Sequence, residues 1–517
     1  MSDAPFGNLE NSSGAMPSEA LGPALQRTLL VTVFVIATCG LIYELLASTV
    51  ASYLLGDSVT QFSTVIGVYL FAMGLGSYLS KHVVDDLIDT FVRLEILVGI
   101  VGGLTSPVLF FAFAELAAFR VVLYSWVLLT GILVGLEIPL LLRILERDLP
   151  LSDLVSRVLS LDYLGALVAS LIFPLWLVPQ VGLMRSSLIF GVLNVAVATW
   201  AAHAFRHRLR SWRQLVITAW SALAILLLGA IFSERLMSLA EARLYDEPVI
   251  HALSTPYQRV VVTRTEQGIS LYLNGHLQLS SSDEYRYHEA LVHPAASATH
   301  EPRRALVLGG GDGMAVRELL RYPSIETITL VDLDPEMVAL FRDHPEFAAL
   351  NGRAFSSPRV EVIHDDAFVW IDQARELFDL VIVDFPDPHG FSLGKLYTRT
   401  FYRRLMARLS PRGVVAVQST SPLVTREAFW CVVRTIESAG LHARPYHAAV
   451  PSFGEWGFTL AARTPPQTDA SRLPRDLRFL SPGVLPSLFV LPPDMAPVDV
   501  DIQRLDDQVL VRYHGAG

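Results

Sequence analysis

Arg304-Ala-Leu-Val-Leu-Gly309-Gly310-Gly311-Asp312-Gly313 is the stretch that decides the fold. Four consecutive apolar residues read as a strand buried on both faces, and the glycines turn it into a helical stretch, Met314–Arg321. A second apolar strand, Ile325–Val331, ends in Asp332-Leu333-Asp334-Pro335. Arg359–Ile363, Leu380–Val383 and Val414–Gln418 repeat the pattern. Strands alternating with helical segments predict a doubly wound, mostly parallel sheet, an α/β Rossmann-like domain over 301–465. Ligands of such sheets sit beyond the carboxyl ends of the strands. Four acidic turns follow four of these strands, at Asp312, Asp332, Asp366 and Asp384 with Asp387, so the fold gathers them at one edge.

The glycine turn, with Gly309 and Gly311, suits close approach of a backbone to a ligand, and equally a plain tight turn. Asp332 stands 20 positions after Asp312, at the end of the second strand. An acid so placed accepts hydrogen bonds from a ribose diol. Asp312 inside the turn would repel a pyrophosphate, so an adenosine-type ligand that is cationic is expected. Asp384-Phe385-Pro386-Asp387-Pro388 adds two carboxylates three residues apart. They serve either as a helix cap or solvated turn, or as the seat of a cation. A unit charge pair at about 4 Å is worth about 4 kcal/mol at an effective dielectric of 20, enough to steer and orient an amine.

Upstream, the chain changes character. The protein has 517 residues, of which 52% are hydrophobic and 17% charged, against about 25% charged in ordinary soluble proteins. Apolar runs near 29–54, 62–80, 94–114, 121–142, 158–178, 186–204 and 214–232 each approach the ~20 residues that cross a bilayer as a helix. About seven spans in a membrane domain over 27–235 are therefore expected, after a polar, disordered tail over 1–26. A small β-hairpin region over 243–300 leads into the Rossmann-like domain, and 466–517 forms a C-terminal extension. Glu44, Glu137 and Asp162 fall within or beside spans, where ionisable groups are costly and default to function. The alternative is that they hydrate at helix ends or pair with Arg143 or Arg157. Gly67, Gly74, Gly76 and Ser77 in the second span suit close helix packing. The net charge of −10 argues against a nucleic-acid partner. The only cysteines, Cys39 and Cys431, read as packing residues. His293 and His364 lack paired ligand spacing, so no metal is expected.

The basic loops, Arg206–Arg213 first and Arg143–Arg157 next, place the amino terminus inside by the positive-inside rule. Seven spans then place the soluble part outside. A re-entrant 158–178 stretch, which holds Asp162 and Pro174 and is followed by Pro179, would give six.

From about Tyr257 to Met495 the sequence resembles the spermidine/spermine synthase family, the polyamine aminopropyltransferases, whose domain is of the methyltransferase type. The resemblance is carried in order by Tyr257-Gln258, Leu273–Gln278, Asp283–Glu289, Gly309–Gly313, the Asp332 turn, Asp365–Phe368, Asp384–Pro388, Leu477–Pro482 and Phe489–Pro492. The first half is similar to the membrane region of bacterial fused forms. The resemblance implies transfer of the aminopropyl group of decarboxylated S-adenosylmethionine, a co-substrate rather than a resident cofactor, to an amine, with putrescine the default. It implies that Gln258 binds the thioadenosine part, Asp332 the ribose and Asp366 with Ala367 the adenine. Asp312 would face the aminopropyl ammonium group, Asp384 would accept the proton, and Tyr287, His288 and Asp387 would line the amine site. It also implies a lipid bilayer partner, a homo-oligomer, and a cytoplasmic enzyme, since the co-substrate is made there. Three departures stand out: Phe453 replaces a frequent tyrosine, Gln418-Ser-Thr-Ser-Pro422 lacks an acid that often holds the distal amine, and Phe391 stands where a proline is frequent. A methyltransferase of the same fold using S-adenosylmethionine, and a polyamine-binding transporter or sensor without turnover, remain as alternatives.

Overall fold

The computed structural model describes residues 23–55, 58–116, 118–146, 150–245 and 247–515. Most of the tail read over 1–26 lies outside these residues.

The apolar runs form helices, because a backbone in an apolar surrounding satisfies its own hydrogen bonds only within a helix or a closed sheet. They are α1 (Pro23–Leu55), α2 (Ser58–Leu79), α3 (Leu87–Gly103), α4 (Thr105–Glu115), α5 (Phe119–Leu145), α6 (Leu151–Ile172), α7 (Leu183–Ala204), α8 (Trp212–Ile231) and α9 (Ser233–Leu244). Six helical stretches among the described residues are long and apolar enough to cross a membrane, or seven if the bent pair α3–α4 counts as one. The stretch read as a span over 158–178, with re-entrance as the alternative, is long and apolar enough to cross, and the break falls elsewhere. α6 runs on through a π-helical stretch, Phe173–Val181, as one 31-residue candidate span, while α3 and α4 meet at 45°. Pro107 explains that bend: it has no N–H for the carbonyl of Gly103 and crowds it. The Ser187 hydroxyl takes up the freed carbonyls, lying 3.1 Å from Gly102 O and 2.9 Å from Gly103 O.

Side-chain pairs define the two ends of the bundle. At one end Arg210 meets Asp86 at 2.7 Å, and Arg143 donates to the carbonyls of Ser80 and Val83. At the other, Arg243 meets Glu115 at 2.7 Å and Arg185 meets Glu234 at 2.9 Å. The pair α3–α4 thus runs from Asp86 at the first end to Glu115 at the second, a broken traverse rather than a hairpin. Arg143 is spent on carbonyls, and Glu137 is fully packed inside the bundle, so the alternative of hydration at a helix end or pairing with Arg143 does not hold for Glu137. Glu95, passed over in the sequence, is also buried there and accepts from Asn194 Nδ2 at 2.8 Å.

Of the small residues in α2, Gly76 packs against α5, where a Cβ would lie 2.1 Å from Ile132 O, and Ser77 Oγ donates to Gly135 O at 2.9 Å. Gly67 and Gly74 face open space, so the packing role read for those two is corrected.

Beyond α9, β1 (Val249–Ser254), β2 (Arg259–Thr265), β3 (Gly268–Leu273) and β4 (His276–Ser280) form an antiparallel sheet in that order. α10 (Glu284–Ala298) connects it to the second sheet. In chain order follow β5 (Arg304–Gly309), α11 (Met314–Leu319), β6 (Thr327–Asp332), α12 (Pro335–Asp343), α13 (Pro345–Leu350), β7 (Val360–His364) and α14 (Ala367–Gln373). Then come β8 (Phe378–Asp384), α15 (Phe391–Gly394), α16 (Arg399–Arg408), β9 (Leu409–Gln418), α17 (Arg426–Ser438), β10 (His442–Val450), β11 (Gly454–Ala462) and α18 (Val509–Gly515).

The seven strands lie in the order β10-β11-β9-β8-β5-β6-β7. The five from β7 to β9 are parallel, and a β10–β11 hairpin closes one edge antiparallel. Alternate residues of β5 feed the two faces: Ala305 and Val307 one core, Leu306 and Leu308 the other. A strand covered on both sides must be apolar throughout. Cys431 is buried on α17 within that second core. The order reverses between β5 and β8, whose last residues, Gly309 and Asp384, are register partners. That is the switch point where an open α/β sheet binds its ligand.

Candidate active site

β5 and β8 deliver the glycine turn and Asp384 to the same point. A Cβ at Gly310 would lie 3.0 Å from Asp384 Oδ2, and one at Gly311 would lie 2.8 Å from Asp332 Oδ2. The glycines therefore let two carboxylates close on the turn. Asp312 Oδ1 caps α11 by accepting from Met314 N at 2.9 Å.

On the β6 side, Asp332 Oδ1 accepts from Asp334 N at 2.9 Å. Burial pushes the Asp332 carboxyl up to about 6, against the backbone N–H groups that lower it. Asp334, not singled out in the sequence, proves to be the organiser here. Its Oδ2 accepts from Gln258 Nε2 and Thr255 Oγ1, both at 2.8 Å, and its Oδ1 caps α12 at Glu336 N. So the β1–β2 turn, although Gln258 is 76 positions from Asp334 in the chain, packs upon β6 and carries Gln258 to its carboxyl end. Asp366 Oδ1 caps α14 through Phe368 N at 2.9 Å, beside buried Ala367. The ammonium of Lys395 holds its other oxygen, a contact the sequence reading did not anticipate.

On the β8 side, Tyr287 donates to Asp384 Oδ1 at 2.7 Å. Burial raises the Asp384 carboxyl to about 6, with Asp312 adding to it and His288 opposing. His288 is buried with Nδ1 2.9 Å from Glu284 Oε2. Burial disfavours its charged form, but Glu284, Asp312 and Asp384 outweigh that and lift it to about 9. It is therefore an imidazolium between carboxylates. Burial also works against the Glu284 carboxylate, but His288 and a bidentate Arg317, at 2.9 and 3.0 Å, hold it down to about 2. His288, itself buried, thus braces the cluster through Glu284.

Asp387 accepts from Gln418 Nε2 at 3.2 Å and lies 3.0 Å from His514 Nε2. Phe453 and Trp456 face Tyr287, with ring centroids 6.0 and 6.5 Å away. Trp456, also not singled out, keeps a buried indole N–H without a partner among the described residues. Aromatic faces around carboxylates suit an alkylammonium. His293 is spent on Tyr322 and Glu318, as a structural histidine. The structure does bring Asp387, His389 and His514 together, a grouping that spacing in the chain hides.

A doubly wound sheet with carboxylates at its switch point and an aromatic-lined, acidic second half suits a nucleoside-borne cation on one side and an amine on the other. Comparison with known proteins agrees. The spermine/spermidine synthase domain matches residues 284–470. A polyamine aminopropyltransferase of Leptospira interrogans is 50% identical over 95% of this chain and 98% of its own. Polyamine aminopropyltransferase 2 of Ralstonia nicotianae is 52% identical over 94% of this chain and 97% of its own, and a Mycobacterium tuberculosis relative is 39% identical over 93% and 95%. The chain belongs to the spermine/spermidine synthase family and is an aminopropyltransferase. The match to these relatives runs through the helical half as well as the catalytic half.

Proposed function

We propose that this protein is a membrane-anchored aminopropyltransferase that moves the aminopropyl group of decarboxylated S-adenosylmethionine to putrescine. The observation that carries this reading is the convergence of Asp312, Asp332 and Asp384 on one glycine turn at the switch point. Asp332 and Gln258 would hold the ribose and thioadenosine, and Asp366 with Ala367 the adenine, Lys395 yielding Asp366 on binding. Asp312 would face the aminopropyl ammonium.

A neutral primary amine attacks the methylene carbon next to the sulfonium. The carbon–nitrogen bond forms as the carbon–sulfur bond breaks, and that bond's electron pair returns to sulfur, releasing methylthioadenosine. The proton leaves the amine for Asp384, whose raised pKa makes it a stronger base than an ordinary aspartate. Tyr287 orients Asp384, so the step is mainly positioning plus proton transfer. Asp387 holds the distal ammonium, and the aromatic wall of Tyr287, Phe453 and Trp456 replaces the acid absent from Gln418–Pro422.

The amine preference is testable directly. Incubation of the purified chain with decarboxylated S-adenosylmethionine and a panel of diamines and triamines, followed by mass analysis, is expected to favour putrescine. A triamine preferred by ten-fold or more would overturn that choice.

Membrane anchoring is supported by the helices that satisfy the length and composition of spans. We place the catalytic half in the cytoplasm, where its co-substrate is made. It packs at the Glu115–Arg243 end of the bundle, opposite the basic loops, so the charge rule must fail here. Pairing of Arg210 with Asp86, and of Arg143 with carbonyls, supports that failure: these cations are spent on packing. A carboxyl-terminal fusion to green fluorescent protein is expected to fluoresce. High activity of a phosphatase fusion with no fluorescence would contradict the assignment.

A further inference from the structure

Three imidazoles from three separated parts of the chain meet beside one carboxylate. His276 opens β4, His389 follows Asp387 in the loop after β8, and His514 lies on α18. The protein has only 14 histidines in 517 residues, so three in one place ask for a reason. His276 and His389 stack with centroids 3.9 Å apart and planes 12° from parallel, and His389 meets His514 edge to face at 4.5 Å. The ligand atoms of Asp387, His389 and His514 all lie within 4.8 Å of one another. All three histidines line a cavity of about 760 Å³ between the bundle end and the catalytic half.

The hydrogen bond from His514 to Asp387 accounts for two of these groups but not for His389. Among the described residues its ring nitrogens have no hydrogen-bond partner, although the ring is part-buried. Two imidazoles and a carboxylate are a donor set that suits a borderline divalent metal. Bonds of 2.0–2.2 Å give a tetrahedral site ligand–ligand edges of about 3.3 Å. His514 Nε2 and Asp387 Oδ2, at 3.0 Å, are already that close. His389 would have to close in by at most about 1.5 Å on the same geometry, a side-chain adjustment on an open loop. Outer-shell support is present too. Gln418 Nε2 donates to the other oxygen of Asp387, and the His276 ring fixes the plane of His389, the kind of orienting contact that metal ligands use. The cavity supplies an entry path and room for a water in the fourth position.

We propose that Asp387, His389 and His514 form a site for one zinc-class divalent cation, and that its occupation withholds Asp387 from the amine. The second half of the proposal rests on the reading of Asp387 as an amine-site residue; the first does not. Metal at this site would pin α18 to the β8 loop and leave the nucleoside half, at Asp332 and Gln258, untouched. The activity would then fall as zinc rises, through the amine and not through the co-substrate.

The test uses the full chain in detergent, stripped with a chelator and titrated calorimetrically with zinc chloride in the absence of substrate. One zinc per chain is expected, with affinity lowered by at least ~10-fold in His389→Gln and in His514→Gln. Both variants should bind methylthioadenosine as the parent does, which shows that they are folded. Saturating zinc should raise KM for the amine and leave methylthioadenosine affinity unchanged. No stoichiometric binding, or equal binding by folded variants, overturns the site. Zinc bound with KM unchanged overturns its role on Asp387. If zinc binds as described but no amine is ever aminopropylated, the site stands and the functional reading fails.

Discussion

At the scale of single residues, the chemistry rests on charges kept close by geometry. Asp384 is expected to be the proton acceptor, so Asp384→Asn should lower turnover by about 10²–10⁴-fold while methylthioadenosine binding, measured calorimetrically, stays near the parent value. Asp332→Ala should do the opposite. Loss of hydrogen bonds from a ribose to a charged acceptor, worth about 1.5–3 kcal/mol, should weaken nucleoside affinity by ten-fold or more. Unchanged binding would remove Asp332 from the ribose. The pH dependence follows from the same groups. Asp384 must be ionised to accept a proton, so kcat/KM should rise with pH through about 6. His288 is raised from 6.5 to about 9 in the folded chain, so its stabilising contribution is complete below 6.5 and is lost as pH rises through 9. Thermal unfolding should therefore show a falling Tm between pH 6.5 and 9.5 that is smaller in Glu284→Gln, which leaves only Asp312 and Asp384 to raise His288. Asp332 and Asp384 were legible because each closes an apolar strand, and Asp312 because it sits in the glycine turn that follows one. Asp334, Lys395 and Trp456 were not. Asp334 looks like an ordinary helix cap, and only the fold shows its second oxygen holding Gln258 and Thr255. Lys395 lies 29 positions from Asp366, with no local pattern to link them.

At the scale of elements, the strands were readable because burial on both faces demands continuous apolar runs, as in Ala305–Leu308. The bend in the third apolar run was not. The run over 94–114 carries no charge after Glu95, and the break depends on one missing N–H at Pro107 and on Ser187 being near enough to satisfy the Gly103 carbonyl it frees. The antiparallel β10–β11 edge was missed for a different reason, since His442–Val450 interleaves His442, Arg444 and His447 with its apolar residues and so lacks a continuous apolar run. Two element-level outcomes are expected. Gly76→Ala should disrupt the α2–α5 contact, because its Cβ would meet backbone at 2.1 Å, whereas Gly74→Ala, with nothing within 4 Å, should be tolerated. Comparing the two for yield of folded protein in detergent checks this. Glu289 on α10 accepts from the backbone N–H groups of Arg478, Phe479 and Leu480, each at 2.8 Å. Glu289→Ala leaves those donors without their acceptor, at about 1–3 kcal/mol for a buried group, and protease sensitivity near residue 478 should rise first.

At the scale of the whole molecule, a helical bundle and a catalytic domain meet across a cavity, and the side chains that define the bundle's two ends also fix which end the enzyme occupies. Composition alone separated the two halves, because the charged fraction changes abruptly after α9. It did not reveal that α18, at the far end of the chain, returns to Asp387, since a contact over 127 positions leaves no trace in local sequence. The central claim is that one site joins a nucleoside-borne aminopropyl group to an amine. The most direct measurement is the product balance of the full chain in detergent, supplied in parallel with decarboxylated S-adenosylmethionine and with S-adenosylmethionine, each with putrescine. Spermidine and methylthioadenosine in equal amounts, from the decarboxylated compound alone, are the expected result. A methylated amine with S-adenosylhomocysteine, or methylthioadenosine released without any new amine, would contradict it.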